Sequence, residues 1–296
     1  MILKDNILIF GASGMAGHVI YKYLSDLGEY SISTVSYRKK IDKNTILMDI
    51  RNFNEVSKII QKIKPKYVIN AIGVLIQGSQ SSNSNAILIN SYFPHFLQQH
   101  CKSIGAKLIH ISTDCVFSGN SIGNYTEDSF RDGDDIYARS KSLGEIINNK
   151  DVTIRTSIIG PEIKEDGEGL FHWFMKQKGE INGYANAYWS GVTTLLLAKA
   201  IHKVIINNTK GLFHLTNNQK ISKYELLVLF KTIWDKQEIK INKVENKHKD
   251  KSFLNTKHPE FVVDSTFEEM LLSQKEFMET NNTLFNYTEN YSDLFK

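Results

Sequence analysis

"ILIFGASGMAG", residues 7–17, sets three glycines at intervals of three directly after a short run of strand-forming residues. Gly11, Gly14 and Gly17 make G-x-x-G-x-x-G, not the commoner dinucleotide spacing G-x-G-x-x-G, but the physical demands are alike. The turn must be free of side chains, the backbone must come close to a pyrophosphate, and helix must pack closely on strand. A bare strand-to-helix turn would use the same glycines, so context decides. Here the triplet follows the first expected strand and opens the first expected helix, Met15–Leu27, with Val19, Tyr23 and Leu27 on one stripe and Gly28 as its stop.

Working outward, β-branched runs alternate with helix-length amphipathic segments. Strands are expected at Asn6–Phe10, Ser31–Ser36, Tyr67–Ala71, Lys107–Ser112 and Val152–Arg155. This alternation predicts an α/β fold, a Rossmann-like doubly wound parallel sheet with helices on both faces. Beyond Pro161 the rhythm breaks, and residues 162–190 show no clear period. Gly191–Ile206 then reads as a helix, Gly211–Leu215 as a further strand, Tyr224–Trp234 as a helix, and another helix opens near Ser265. The expected division is therefore 1–161 with 191–215 as the dinucleotide-binding domain, and 162–190 with 216–296 as a smaller, discontinuous substrate-binding cap. The Asn-rich tail after Thr280 is expected to fray.

Composition excludes several classes. Hydrophobic residues are 41% and the net charge is +4, ordinary for a globular protein and too diffuse for a nucleic-acid binder. The one basic tract, Lys247–Lys251, is diluted by His248 and Asp250. Two cysteines, Cys101 and Cys115, make no disulfide framework and no zinc spacing, and no apolar run is long enough to span a bilayer. A cytoplasmic setting is expected, without membrane, nucleic acid or metal; the sequence admits a homodimer.

Cofactor choice is written after the second strand, where an acid would bind the ribose hydroxyls and a base would accept a 2′-phosphate. "TVSYRKK" ends in Arg38, Lys39 and Lys40, which predicts NADP(H) over NAD(H), with Arg38 and Lys39 on the phosphate and Asp49 beside the adenine. The chemistry lies in "ISTDCVFSG" (111–119) and "YARSK" (137–141). Tyr137 and Lys141, four apart, share a helix face, so the ammonium is expected to draw the phenol toward ionisation. Thr113, at a strand end, is placed to bond the same substrate oxygen. His110 and His172 read as packed rings, and Cys115 lacks a histidine to activate it.

Over nearly its whole length the chain resembles an extended short-chain dehydrogenase/reductase, most closely the dTDP-4-dehydrorhamnose reductase family. The resemblance rests on "GASGMAG", "NAIG" (70–73), Asn90 in "LINSYFP", "STDCVFSG", "YARSKSLGE", "RTSIIGP" (155–161) and "GLFHLTNNQKISKYELL". It implies NADPH-dependent reduction of a nucleoside-diphosphate 4-keto-6-deoxy sugar for a surface polysaccharide. Tyr137 would be the general acid, Lys141 would bind the nicotinamide ribose and tune Tyr137, and Thr113 would orient the keto oxygen. Gly11, Ser13, Gly14, Met15 and Gly17 would line the cofactor, with Ile50 beside Asp49. Ala71, Ile72, Gly73, Asn90, Ser112, Arg155 and Ser157 would complete that lining, Arg155 and Ser157 at the nicotinamide end. Asp114, Cys115, Trp189, Asn255 and Lys257 would face the sugar nucleotide.

The chain departs from that family where Cys115 stands at a position commonly Tyr, so a phenol that could touch the sugar is missing. Related 4,6-dehydratases carry "TDE" there, and a thiol cannot replace that carboxylate, which disfavours dehydration. "GSQSSNSN" (78–85) is expected to be a mobile loop beside the site. Two other activities share the pattern: an epimerase or epimerase/reductase on a UDP-linked amino sugar, and a silent dinucleotide-binding regulatory subunit. The intact Thr–Tyr–Lys set argues against the second.

Overall fold

A computed structural model describes residues 4–245, 248–282 and 284. Its centre is a sheet of seven parallel strands in the order β11-β6-β5-β4-β1-β2-β3. The strands are β1 (Asp5–Phe10), β2 (Tyr30–Ser36), β3 (Ile46–Leu47), β4 (Tyr67–Asn70), β5 (Lys107–Thr113), β6 (Val152–Thr156) and β11 (Gly211–His214). Covered on both faces, β1 and β4 are buried almost throughout, as crossover helices on both sides of a parallel sheet demand. The α/β doubly wound fold is therefore present. Strand order reverses between β1 and β4, and the carboxyl ends of those two strands open the crevice in which such sheets bind ligands.

Helix α1 (Met15–Leu27) follows β1 and ends at Gly28, whose φ of 69° closes the helix with an N–H bond to the Ser25 carbonyl. Its buried face of Ala16, Gly17, Val19, Ile20 and Leu24 packs on α8 (Thr194–Asn207). Helix α2 (Phe53–Ile63) is capped by the Asn52 side chain on the Glu55 N–H, and α5 (Phe93–Ser103) covers the same face of the sheet.

The stretch expected to be a mobile loop is helical. It forms α3 (Ile76–Ser81) and α4 (Asn83–Ala86), then a π-helical turn at Ile87–Tyr92. Ser82, whose side chain accepts from the Asn85 N–H, caps the second of these helices; the serines and asparagines that suggested a loop are in part its cap.

The segments read as aperiodic or as a connector also hold structure. Residues 162–190 contain α7 (Leu170–Met175), β8 (Gly179–Tyr184) and β9 (Ala187–Trp189), while β13 (Ile239–Val244) lies in the Lys/Asn-rich stretch. β8 pairs in parallel with β13, a partner distant in sequence, so neither strand announces itself locally. β7 (Ile158–Ile159) pairs with β10 (Val192–Thr193), and β9 is flanked by β12 (Ile221–Ser222) and β14 (Lys249–Asp250). The expected helix at Gly191–Ile206 thus begins three residues later, after β10. Helices α9 (Lys223–Ile233) and α10 (Phe267–Thr280) both open with capping boxes, Ser222 with Glu225 and Thr266 with Glu269.

One apolar cluster joins the sheet to the later segments. Ile7, Val19 and Ile201 belong to the same buried group as Phe171, Phe230 and Met270, so the sheet and the segments expected to form the cap share a core. The tail beyond residue 284 and Lys247 of the basic tract lie outside the described residues.

Candidate active site

Gly11 turns the chain out of β1 at φ 83°, a conformation that L side chains rarely adopt. A β-carbon there would meet the Ala71 backbone at 2.9 Å, and one at Gly17 would meet the Gly11 carbonyl oxygen at 2.1 Å. Gly17 therefore serves the close approach of α1 to the turn, and no ligand contact need be invoked for it. Around this turn lies a cleft of about 380 Å³, walled by Gly11, Ser13 and Gly14, by Arg38 at the end of β2, and by Asp49 and Ile50. Ala71, Ile72 and Gly73, after β4, close it and line a second cleft of about 370 Å³ as well.

The second cleft brings the candidate catalytic residues together. Thr113, the last residue of β5, meets Tyr137 and Lys141 of α6 (Ile136–Leu143) there, with Met15, Ser112 and Ser157 also on its walls. Asp135, two residues before the tyrosine, caps α6 by accepting the Ala138 N–H at 2.7 Å and so fixes the helix start at Ile136. Gly144 ends it, where a β-carbon would lie 1.9 Å from the Asn90 carbonyl oxygen.

The charge states differ from the sequence expectation. Burial pushes the Tyr137 phenol well above its ordinary range, with the Cys115 side chain adding to the rise and the Thr113 hydroxyl opposing it. Lys141 donates to the Ile111 carbonyl at 2.8 Å, and burial brings its amine down to about 8. The phenol is thus held as an acid rather than drawn toward phenolate, because loss of water costs a buried phenolate more than the neighbourhood returns. Cys115 is likewise pushed up to about 11 by burial, a neutral thiol and no nucleophile.

Several sequence-predicted residues lie behind the clefts rather than on them. Asn90, on the π-helical turn, accepts the Val74 N–H at 2.8 Å and donates to the Val74 carbonyl and to Ser140, so it clamps the loop after β4 onto α6. Arg155 is 2% exposed and forms a two-pronged ion pair with Glu145 at 2.6 and 2.8 Å; it also reaches His214. Burial alone would raise the Glu145 carboxyl, but bonds from Arg155, Ser112 and Arg131 outweigh it and hold that carboxyl below its usual range. Arg155 therefore supports the β5–β6 floor and does not reach the cleft. The Ser112 hydroxyl belongs to the same network, donating to Glu145 at 2.7 Å.

Lys39 is turned away from the first cleft and donates to the Ile163 carbonyl at 2.8 Å. Trp189 is packed against Phe267 with ring centroids 5.6 Å apart. The Asn255 side chain accepts the His258 N–H at 2.9 Å, and Lys257 pairs with Asp128 at 2.5 Å. None of these four walls either cleft. His110 is buried against the Asn70 amide at 3.1 Å, and His172 is buried with Nε2 3.3 Å from the Glu165 carbonyl.

Sequence reasoning missed Arg51, which lines the first cleft and grips Asp49 through Nε at 2.9 Å to both carboxylate oxygens. That bond holds the Asp49 carboxyl below its usual range. The signal was present as D-x-R in "MDIRN", two residues apart on a turn. Lys164, which borders both clefts, was also missed, for it sits in the segment without period. The set suits a nucleotide with a 2′-phosphate: the acid that would repel it is neutralised, and Arg38 adds a second guanidinium.

Comparison with known proteins agrees with this geometry. The chain is 25% identical to dTDP-4-dehydrorhamnose reductase of Aggregatibacter actinomycetemcomitans over 233 residues, 75% of this chain and 76% of that one. It is 29% identical over 227 residues to spore coat polysaccharide biosynthesis protein SpsK of Bacillus subtilis, covering 74% of this chain and 76% of the other. Among solved structures it resembles dTDP-4-dehydrorhamnose reductase of Bacillus anthracis in complex with NADP, with a TM-score of 0.79 and 25% identity over 94% of this chain and all of that one. The family model described as RmlD substrate binding domain matches residues 5–277. By a match that takes in sheet, site and cap segments together, the chain belongs to the RmlD substrate binding domain family of extended short-chain dehydrogenase/reductase-like nucleotide-sugar reductases.

Proposed function

We propose that the protein reduces a nucleoside-diphosphate 4-keto-6-deoxy sugar with NADPH, in the manner of dTDP-4-dehydrorhamnose reductases, for deoxysugar and surface-polysaccharide synthesis. The observation that carries the reading is the meeting of Thr113, Tyr137 and Lys141 in one cleft that shares Gly14 and Ala71–Gly73 with the cleft around the glycine turn beside it. The chain is an oxidoreductase and NADP(H) is its cofactor. When bound, NADPH would supply the hydride that reduces the keto carbon, and Gly11, Ser13, Gly14 and Ala71–Gly73 would hold it.

The chain's own residues supply the rest. Tyr137, kept protonated by burial, donates its proton to the carbonyl oxygen as negative charge develops there. Thr113 orients that oxygen. Lys141, on the same face of α6, places its amine beside the cleft, where its charge at neutral pH stabilises the phenolate left after proton transfer and its N–H groups hold the nicotinamide ribose. Arg38 and Arg51 hold the adenosine 2′-phosphate. Asp114 and Cys115 form the wall toward the sugar, and the small thiol leaves room where a phenol stands in related chains.

The test follows NADPH absorbance with dTDP-, UDP- and GDP-linked 4-keto-6-deoxy sugars, for the wild-type protein and Tyr137→Phe. Consumption with one donor that collapses in the variant supports the reading and names the substrate. NADPH that is bound but never oxidised, with any donor, removes it in favour of epimerisation or a regulatory subunit.

A further inference from the structure

Residues 162–169, between β7 and α7, reach the place where the two clefts meet. The clefts share Gly14, residues 71–73 and Lys164, so the one charged side chain at that junction comes from this connecting stretch. Both ends of the stretch are fastened to cofactor-side elements. Lys39, next to Arg38 after β2, donates to the Ile163 carbonyl at 2.8 Å. At the far end Gly169 lies on the first residue of α1, where a β-carbon added to the glycine would meet Met15 Sδ at 3.0 Å. The Gly169 N–H donates to Glu162 Oε1 at 2.6 Å, which closes the stretch on itself. Gly167 fits inside that closure, for a β-carbon there would meet the Glu162 carboxyl carbon at 2.6 Å.

Lys164 is placed by its neighbours and not by its own charge. The carbonyl before it, of Ile163, is taken by Lys39; the one after it, of Glu165, accepts from Lys176 and lies 3.3 Å from His172 Nε2. Glu162, Glu165, Asp166 and Glu168 all stand within four residues of Lys164 in sequence, yet its side chain forms no hydrogen bond or ion pair among the described residues. Its charge is therefore left to the clefts. A dinucleotide with its adenosine by Arg38 and Asp49 and its nicotinamide by Tyr137 and Lys141 must pass the junction with its middle, and the middle is the diphosphate.

We propose that residues 162–169 are a strap that closes over the bound cofactor, with Lys164 as its contact to the dinucleotide's diphosphate and Lys39 as its tether. Lys39 is then a positioning residue, although it stands where a ligand of the 2′-phosphate is expected. Glu162 and Glu168 of the same strap line the catalytic cleft, so whatever holds the strap also holds that wall. The assignment rests on NADP(H) as the cofactor and on no particular sugar, so binding measured without turnover tests it.

The test measures dissociation constants and release rates of NADPH and NADH by nicotinamide fluorescence, with adenosine 2′-phosphate, followed by calorimetry, as a ligand that has no diphosphate. Lys164→Met keeps the apolar stem, and Lys164→Gln answers the same question should the methionine variant fail to fold. Either is expected to weaken both dinucleotides alike, about tenfold and through faster release, the size of one charge-assisted hydrogen bond, with adenosine 2′-phosphate unaffected. Lys164→Arg is expected to restore most of that affinity. Lys39→Met is expected to speed release of NADPH and NADH by one common factor of about three. Wild-type affinity for both dinucleotides in the Lys164 variants overturns the proposal, and so does a loss confined to NADPH, which would make Lys164 a reader of the 2′-phosphate. Unchanged release in Lys39→Met, or a loss confined to NADPH and adenosine 2′-phosphate, overturns the tether. If both dinucleotides are weakened as expected while no keto sugar oxidises NADPH in the wild-type protein, the strap stands and the reductase reading fails.

Discussion

The two sides of the active cleft are built in opposite ways. The cofactor side is made of short turns, each of them local in sequence: a glycine turn after β1, the Ala71–Gly73 turn after β4, and the Arg38 and Asp49–Arg51 turns beside β2 and β3. The substrate side is assembled from distant segments, with the 114–119 loop held against β14 and the Thr256 N–H bonded to Glu127 at 3.1 Å. A parallel sheet presents its loops at one edge, so the first side follows from strand order alone. The second depends on which cap strand pairs with which, and that is a tertiary matter.

The sharpest way to break this comparison is at the seam between the sides. Tyr137→Phe is expected to lower kcat by about 10³-fold, within the range for loss of a positioned acid, while NADPH binding measured by fluorescence stays near wild type. A shared loss of binding and rate would mean that the two sides are not separable.

Next in size is the floor beneath both. Glu145→Ala leaves Arg155 buried without its carboxylate, and about 3–5 kcal/mol of stability is expected to be lost in urea unfolding. Arg155→Ala, which strands Glu145 instead, is expected to cost a similar amount, and a small effect would return Arg155 to the cofactor role that the sequence suggested.

Gly17→Ala sharpens the cofactor side. Its β-carbon would strike the Gly11 carbonyl oxygen, so about 1–3 kcal/mol of stability should go, and NADPH affinity with it as α1 shifts from the turn. Arg51→Ala should act more gently, raising the KM for NADPH about tenfold while leaving that for NADH nearly unchanged, since it removes a cation and frees Asp49. Equal effects on both nucleotides would show that Arg51 does not read the 2′-phosphate.

The smallest expected effect is in pH. Lys141 has its folded-state value lowered from 10.5 to about 8. Its ammonium is thus present at neutral pH and lost as pH rises through about 8, and kcat/KM for reduction should fall there, with Lys141→Arg carrying the decline to higher pH. The unfolded chain binds the extra proton between about 8 and 10.5, so this group's contribution makes folding stability rise with pH across that window.

Much of the cofactor side was legible before any coordinates. The glycine turn, the five inner strands of the sheet and the Tyr137–Lys141 spacing follow from local rules of turn, alternation and helix period. Directions of side chains were not. Lys39 and Arg38 are adjacent in sequence, yet one lines the cleft and the other reaches Ile163. Arg155 and Glu145 each stood in a recognisable segment, but their pairing required β6 and the end of α6 to be brought face to face.

By itself the sequence determined the doubly wound sheet, the glycine turn that opens α1 and the three residues, Thr113, Tyr137 and Lys141, that meet in one cleft, because each of these depends on residues within one strand, turn or helix. Only the tertiary structure decided that the phenol is kept as an acid and that Arg155 is buried in a floor. Burial and the meeting of charges depend on what lies across space, and neither burial nor pairing is carried by spacing along the chain.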